Sequence, residues 1–341
     1  MGYNGSMRGS PGFLGVLQSQ LEGLSIEVLE SINKVGGLEI RDLMDFLVNP
    51  QDHTVDLPYQ VSKETIIGNS SISIDAFWRG KESLLSGETV HCIVVDGNSF
   101  QNMPSSSTTL LEMQLMKVSW VKHVWLLVSP ADAEKALQYA KAVGKDVRLV
   151  MNYQSFCLTP DNRLHQVGDK TSLHACGQGD LVNAMVHTGL MKESIESGIK
   201  RIIVCEGDNI LGSGHPVIVG QHIISQKPVT VEVTKRRRGD QQGVLCEHAG
   251  FNQIVEKFRL SAQTDPEDYE LISTGTMVFE LDLDFSPIKW KWHRTRNVLN
   301  GAIVSQYTRT LNDLTAHFQT QFIETPRYYC YMTLKDYQSS K

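Results

Sequence analysis

Between residues 91 and 208, four short apolar runs alternate with amphipathic stretches. No other feature of the chain limits its fold as tightly. The runs are "HCIVVD" (91–96), "HVWLLVS" (123–129), "DVRLVMN" (146–152) and "RIIVCEGD" (201–208). Continuous apolar runs of this length read as strands buried on both faces of a parallel sheet. Between them, 108–119, "ADAEKALQYAKAVG" closed by Gly144, and 180–198 ending at Gly198 read as helices. "IDAFWRGKESLLSG" is a further helix that stops at Gly87. The alternation predicts a mixed α/β fold with a mainly parallel sheet flanked by helices. "PVTVEVT", "GVLCEH", "NQIVEKF" and "TGTMVFELDL" then read as antiparallel strands, and 298–318 as helical.

The rest of the 341 residues divides simply. Residues 1–12, rich in Gly and Ser, are expected to be a flexible lead. Residues 13–74 form a small N-terminal helical segment and a turn-rich linker (49–73), and 75–341 form the α/β core. No apolar run approaches the ~18 residues a membrane helix needs, and the start lacks a signal-peptide core. The expectation is a cytoplasmic protein with no membrane partner. A net charge of −6 argues against nucleic acid as a partner, despite the run Lys235–Arg238. The six cysteines are dispersed, with no C-x-x-C pair, so zinc spacing is absent.

Ligands of open α/β sheets sit at the carboxyl ends of the strands. The loops after Asp96, Asn152 and Asp208 are therefore the places to look. Asp208 directly follows an apolar strand, where a carboxylate suits Mg²⁺ bridged to substrate phosphates; Asp is also a common turn residue. In "CGQGD", Gly177 and Gly179 would let the backbone approach a planar ligand, and Asp180 would cap the following helix. Gln154 carries the donor and acceptor that a nucleobase edge requires. The loop "GNSFQNMPSSSTT" is a poor phosphate cradle, with Gly97 its one glycine and no cation before Lys117. "TKRRRGD" reads as a charged hairpin, solvated or neutralising an anion.

Taken in order, these stretches resemble the UDP-sugar pyrophosphorylase family, which includes the UDP-N-acetylglucosamine and UDP-glucose pyrophosphorylases. The resemblance runs over roughly 75–340, through "FWRGKESLLSGETVHCIVVDG", "NYQSFCLTPDNRL", "CGQGDLVNAMVHTGL", "IIVCEGDNIL", "EVTKRRRGDQQGVLC", "ISTGTMVFELDL" and "TPRYYCYMTLKDYQ". It implies a glycosyltransferase-A-like (nucleotide-diphospho-sugar transferase) core. It also implies transfer of a uridylyl group from UTP to a sugar 1-phosphate, with Mg²⁺ and release of pyrophosphate. Gly97, Gln154, Gly177, Gln178, Gly179 and Asp180 would bind the nucleotide, UTP or UDP-sugar. Asp208 would bind the metal and act in catalysis, together with Lys235 and Lys335. Thr276 stands at a sugar-binding asparagine position. The chain also departs from the family. Asn98 and Phe100 stand where glycines belong, and Phe100 would obstruct the loop. Ser105 or a neighbour replaces the phosphate-holding lysine. Leu334 aligns with the late catalytic lysine, leaving Lys335 one position off on what reads as a strand. The departures imply an alternative: a catalytically impaired pseudoenzyme of the same fold, serving as a binding or scaffold protein with a protein partner.

Overall fold

The computed structural model describes Leu17, Ser19, Gln20, Gly23, residues 66–68 and residues 73–339, apart from 105, 213, 214, 262 and 289. The flexible lead, most of the N-terminal helical segment and Ser105 lie outside the described residues. Within the linker, Ile66–Gly68 forms strand β1. Helix α1 (Ile74–Ser86) follows, capped by the Ser73 side chain and stopped by Gly87. Then come β2 (Thr89–Val94), α2 (Leu110–Lys117), β3 (Val124–Val128), α3 (Ala133–Ala142) and β4 (Arg148–Met151). A small outlying region holds β5 (Gln154–Phe156), β6 (Gln166–Val167), β7 (Lys170–Thr171) and β8 (Leu173–Ala175). The expected helix 180–198 is two helices, α4 (Asp180–His187) and α5 (Leu190–Glu196), because Gly189 takes φ 75° between them.

The chain continues through β9 (Arg201–Glu206), α6 (Pro216–Ser225), β10 (Val229–Lys235), β11 (Val244–His248), β12 (Phe251–Val255) and β13 (Leu271–Glu280). It ends with β14 (His293–Leu299), β15 (Ala302–Thr308), β16 (Thr320–Glu324), α7 (Arg327–Cys330) and α8 (Leu334–Ser339). The region expected to be helical, 298–318, is instead a hairpin and a 3₁₀ turn. Asn300 and Gly301 both take positive φ, the requirement of a two-residue hairpin turn, and β14 pairs with β15 around them. The segment bearing Lys335 is helical rather than a strand.

The main sheet runs β1-β16-β10-β13-β9-β2-β3-β4, with β11 and β12 branching from β13. All neighbours along that path are parallel except where β13 pairs with β10 and β9. Strand alternation sorts the core into two layers. Cys92, Leu127 and Val204 face α4, α5 and the β14–β15 hairpin. Ile93, Leu126 and Cys205 face α1, α2, α3 and α6. In that second layer α1 and α6 touch backbone to backbone at Gly80 and Gly220.

A buried pair ties the β11–β12 region to the turn after β15: Arg259 Nη1 donates to Asp313 Oδ1 at 3.1 Å. Burial outweighs that guanidinium and raises the Asp313 pKa to about 6. A raised folded-state pKa gives a contribution that is complete below about pH 4 and lost as pH rises through about 6. Asp313→Asn should flatten the stability difference between pH 4 and pH 7, on the order of 2–3 kcal/mol. Denaturant midpoints at the two pH values measure it, and an unchanged slope would count against this reading.

Candidate functional site

The carboxyl ends of β2, β9, β10 and β16 lie along one edge of the sheet. Both β9 and β10 pair antiparallel with β13, so they run the same way, and β2 and β16 run parallel to them. Most of the residues singled out in the sequence converge on this edge. Gln154 is buried and sits opposite Ala175 in the β5–β8 ribbon, two residues before Gly177. Gln178 then reaches the sheet, where its Nε2 donates to Glu206 Oε1 at 2.8 Å. Asp208 follows two residues later, in the turn beyond β9.

That turn is held rigidly. Asn209 is 1% exposed. Its Nδ2 donates to Cys330 O at 2.8 Å, and its Oδ1 accepts from Met332 N at 3.1 Å. A side chain so fully bonded fixes where its neighbour Asp208 points. Four carboxylates gather here. Burial first, then Asp208, Glu256 and Asp96, push the Glu206 pKa well above the usual range. Burial and then Asp96 raise Asp208 to about 6. Like charges crowded in a poorly solvated place disfavour ionisation, and a cation would relieve them. Glu206 was within view in "VCEGD", although apolar periodicity gives a strand-end residue no special mark.

The glycine turn has a structural reason for its composition. Gly177 takes φ 90°, and a Cβ there would meet Arg309 O at 2.6 Å. A Cβ on Gly179 would meet Thr310 N at 2.6 Å. The turn is thus pressed against the backbone that leaves β15. Asp180 does not cap α4; Gly179 holds the cap position, without a side-chain bond. The Asp180 carboxylate is instead fully buried and accepts from Arg309 Nη1 and Asn183 Nδ2, both at 3.1 Å. Arg309 also lies 3.9 Å from the Trp292 ring centroid. Sequence reasoning missed Arg309 because its segment was expected to be helical.

The loop after β2 is closed on itself. Asp96 Oδ1 accepts from both the backbone N and the Oγ of Ser99, each at 2.9 Å, and Ser99 Oγ accepts from Asp96 N at 3.1 Å. Two of the loop's N–H groups, those of Asp96 and Ser99, are thereby used. A Cβ added at Gly97 would meet no heavy atom within 4 Å, so nothing there demands a glycine. Phe100 does not obstruct the loop as expected: its ring turns onto Tyr139 (5.9 Å) beneath Lys135 (4.3 Å). Lys117, the next cation, donates to Ile210 O at 2.5 Å.

Two residues stand apart. Thr276 is 1% exposed, shares with Val278 the face covered by α1 and α6, and offers nothing to the edge. Lys335 lies in α8, and its side chain is outside the described residues. Lys235 is exposed at the end of β10. Among the described residues, no three His, Cys, Asp or Glu groups are placed to hold a metal ion by themselves. Nor is any helix there long and apolar enough to cross a membrane.

The family described as UTP--glucose-1-phosphate uridylyltransferase matches residues 150–282. That span holds Gln154, the glycine turn, Asp208 and Lys235. No curated protein matches the chain. Among solved structures, the UDP-glucose pyrophosphorylase of Leishmania major is 13% identical, with a TM-score of 0.71 and coverage of 95% of this chain and 77% of that one. The UDP-N-acetylglucosamine pyrophosphorylase of Trypanosoma brucei is 14% identical, with a TM-score of 0.65 and coverage of 95% and 81%. Variants of the Leishmania enzyme have been solved in complex with UDP-glucose. The resemblance to the UDP-sugar pyrophosphorylases therefore holds, and the core is the glycosyltransferase-A-like fold of these nucleotidyltransferases.

Proposed function

From the premise that this chain is a relative of the UDP-sugar pyrophosphorylases, we propose that its carboxyl edge binds a uridine nucleotide and serves uridylyl transfer. UTP and a sugar 1-phosphate would be the substrates, and a UDP-sugar and pyrophosphate the products. The observation that carries the reading is the single chain of contacts from Gln154 through Gly177 and Gln178 to Glu206 and the Asp208 turn. Gln154 and the glycine turn supply a base edge and a platform. Asp208 supplies an oxygen ligand of the kind Mg²⁺ takes, with substrate phosphates and water completing its shell. Mg²⁺, when bound, would neutralise phosphate charge; the protein's own part is to position the sugar phosphate oxygen in line with the α-phosphorus.

A second reading is favoured by one observation, the self-bonded Asp96 turn. With the Asp96 and Ser99 amides occupied and no cation before Lys117, this loop leaves a triphosphate poorly held, as in a protein that binds a nucleotide sugar without turning it over. Losing one phosphate-binding donor alone costs about two to three orders of magnitude in rate.

The test is a thermal-shift series with UTP, UDP-glucose and UDP-N-acetylglucosamine, with and without Mg²⁺, repeated on Asp208→Ala. A Mg²⁺-dependent shift of several degrees is expected in the wild type and none in the variant. No shift with any uridine nucleotide would sink the proposal. Pyrophosphate release assayed beside it separates the two readings.

A further inference from the structure

The edge that carries Asp208 is divided by charge. Asp96, Glu206 and Asp208 occupy the β2–β9 end. The β10–β16 end carries the run Lys235–Arg238. Its members differ in what they do. Arg236 is spent internally: its Nη2 donates to Asp240 O at 3.0 Å and to Glu267 Oε1 at 3.3 Å. The side chains of Lys235, Arg237 and Arg238 are exposed, and no described carboxylate lies within ion-pair distance of them.

The loop that holds these three cations is clamped rather than loose. Arg327 makes a two-pronged pair with Asp240, at 2.7 and 2.8 Å, and both partners are about nine-tenths buried. Arg327 Nη1 also donates to Lys235 O at 3.3 Å. Asp240 Oδ2 in turn accepts from Arg237 N at 2.7 Å. Arg327 lies 4.7 Å from the Tyr331 ring centroid. Asn209, next to Asp208, bonds the backbone of Cys330 and Met332 on either side of Tyr331. Tyr331 therefore joins the Asp208 turn to the clamped basic loop, and the two are neighbours.

Three cations without a described acidic partner, on a fixed loop beside a carboxylate group suited to a divalent ion, form a surface complementary to a polyphosphate. The closed loop after β2 offers no cation for that purpose. We propose that Lys235, Arg237 and Arg238 form the anion subsite of this protein, taking the pyrophosphate moiety of a nucleotide or a free pyrophosphate. The subsite rests on the nucleotide reading given above for its place beside the base site. Charge-assisted contacts from two guanidinium groups and an ammonium suit such a ligand, and Arg presents paired donors to phosphate oxygens.

Titration calorimetry at low salt, with inorganic pyrophosphate, UTP and uridine as separate probes, tests it on the whole chain. The Arg237→Ala/Arg238→Ala variant should bind pyrophosphate and UTP about 10- to 100-fold more weakly, since each charge-assisted bond lost is worth about tenfold. Uridine affinity should not change. Both residues are exposed, so folding should be kept; the Arg237→Lys/Arg238→Lys variant should restore most of the binding. Equal pyrophosphate affinity in wild type and double-alanine variant would overturn the subsite while leaving the nucleotide reading intact. Absence of uridine binding, with pyrophosphate still lost in the variant, would sink the nucleotide reading and keep the subsite. Displacement of pyrophosphate by a homopolymeric RNA at lower concentration than by UTP would also overturn it.

Discussion

Gly220→Ala should destabilise the protein by about 3 kcal/mol or more, at the upper end of what overpacking costs. A Cβ at Gly220 would fall 1.6 Å from Ala76 O, and one at Gly80 would fall 1.7 Å from Pro216 O. Each contact is with backbone, so no side-chain rotation relieves it. The helices α1 and α6 would have to move apart, opening the layer that includes Leu84, Ile218 and Val219 against Ile93 and Cys205. At close crossings the glycine Cα–H groups face carbonyl oxygens across the interface, a weak attraction lost with the separation. Denaturant unfolding of the single variants and the Gly80→Ala/Gly220→Ala double provides the measure. The double should cost less than the sum, because one separation serves both. A loss below about 1 kcal/mol for Gly220→Ala would show that the helices can part freely.

Arg309→Met should cost about 3–5 kcal/mol, the range for removing one partner of a buried ion pair. Asp180 is left with Asn183 and without its cation, in a fully buried position. Burial already raises the Asp180 pKa, with Arg309 the chief opposing influence, so the variant carboxyl takes up a proton and recovers part of the loss. The variant should therefore be less stable at pH 8 than at pH 5 relative to wild type, and Arg309→Met/Asp180→Asn should regain stability. Calorimetric unfolding at both pH values reads this. A single variant as stable as wild type would mean the pair is not what holds the turn. The nucleotide-dependent shift should weaken in Arg309→Met as well, since the lost Arg309–Asp180 side-chain pair is what ties the start of α4 to the segment after β15.

The parallel half of the fold was legible because its strands are buried on both faces and read as unbroken apolar runs. The sequence spans 91–96, 123–129, 146–152 and 201–208 contain the observed β2, β3, β4 and β9, apart from two residues at the start of β2. The β14–β15 hairpin was missed although Asn300-Gly301 is a strong turn signal. Its strands expose Val298 and Ile303 and carry no clean alternation, so local pattern favoured the wrong element. In the site, Asp208 and the glycine turn stood out by residue type. Arg309 and the Asp96 bond to Ser99 did not, since each takes its meaning from a partner that only folding supplies. Thr276 shows the converse: a strand position aligned with a ligand-binding one, yet turned to the helix-covered face.

The pairing of Asp180 with Arg309 spans 129 residues of chain. In kinetic terms it is a contact of high sequence separation, and closing such a loop must precede any gain from it. During synthesis the sheet from β2 to β9 can assemble while residue 309 is still unmade. The glycine turn would then be without the backbone it rests on. The glycine turn is therefore among the last parts of this protein to take shape, completed by a segment that itself sits outside the main sheet.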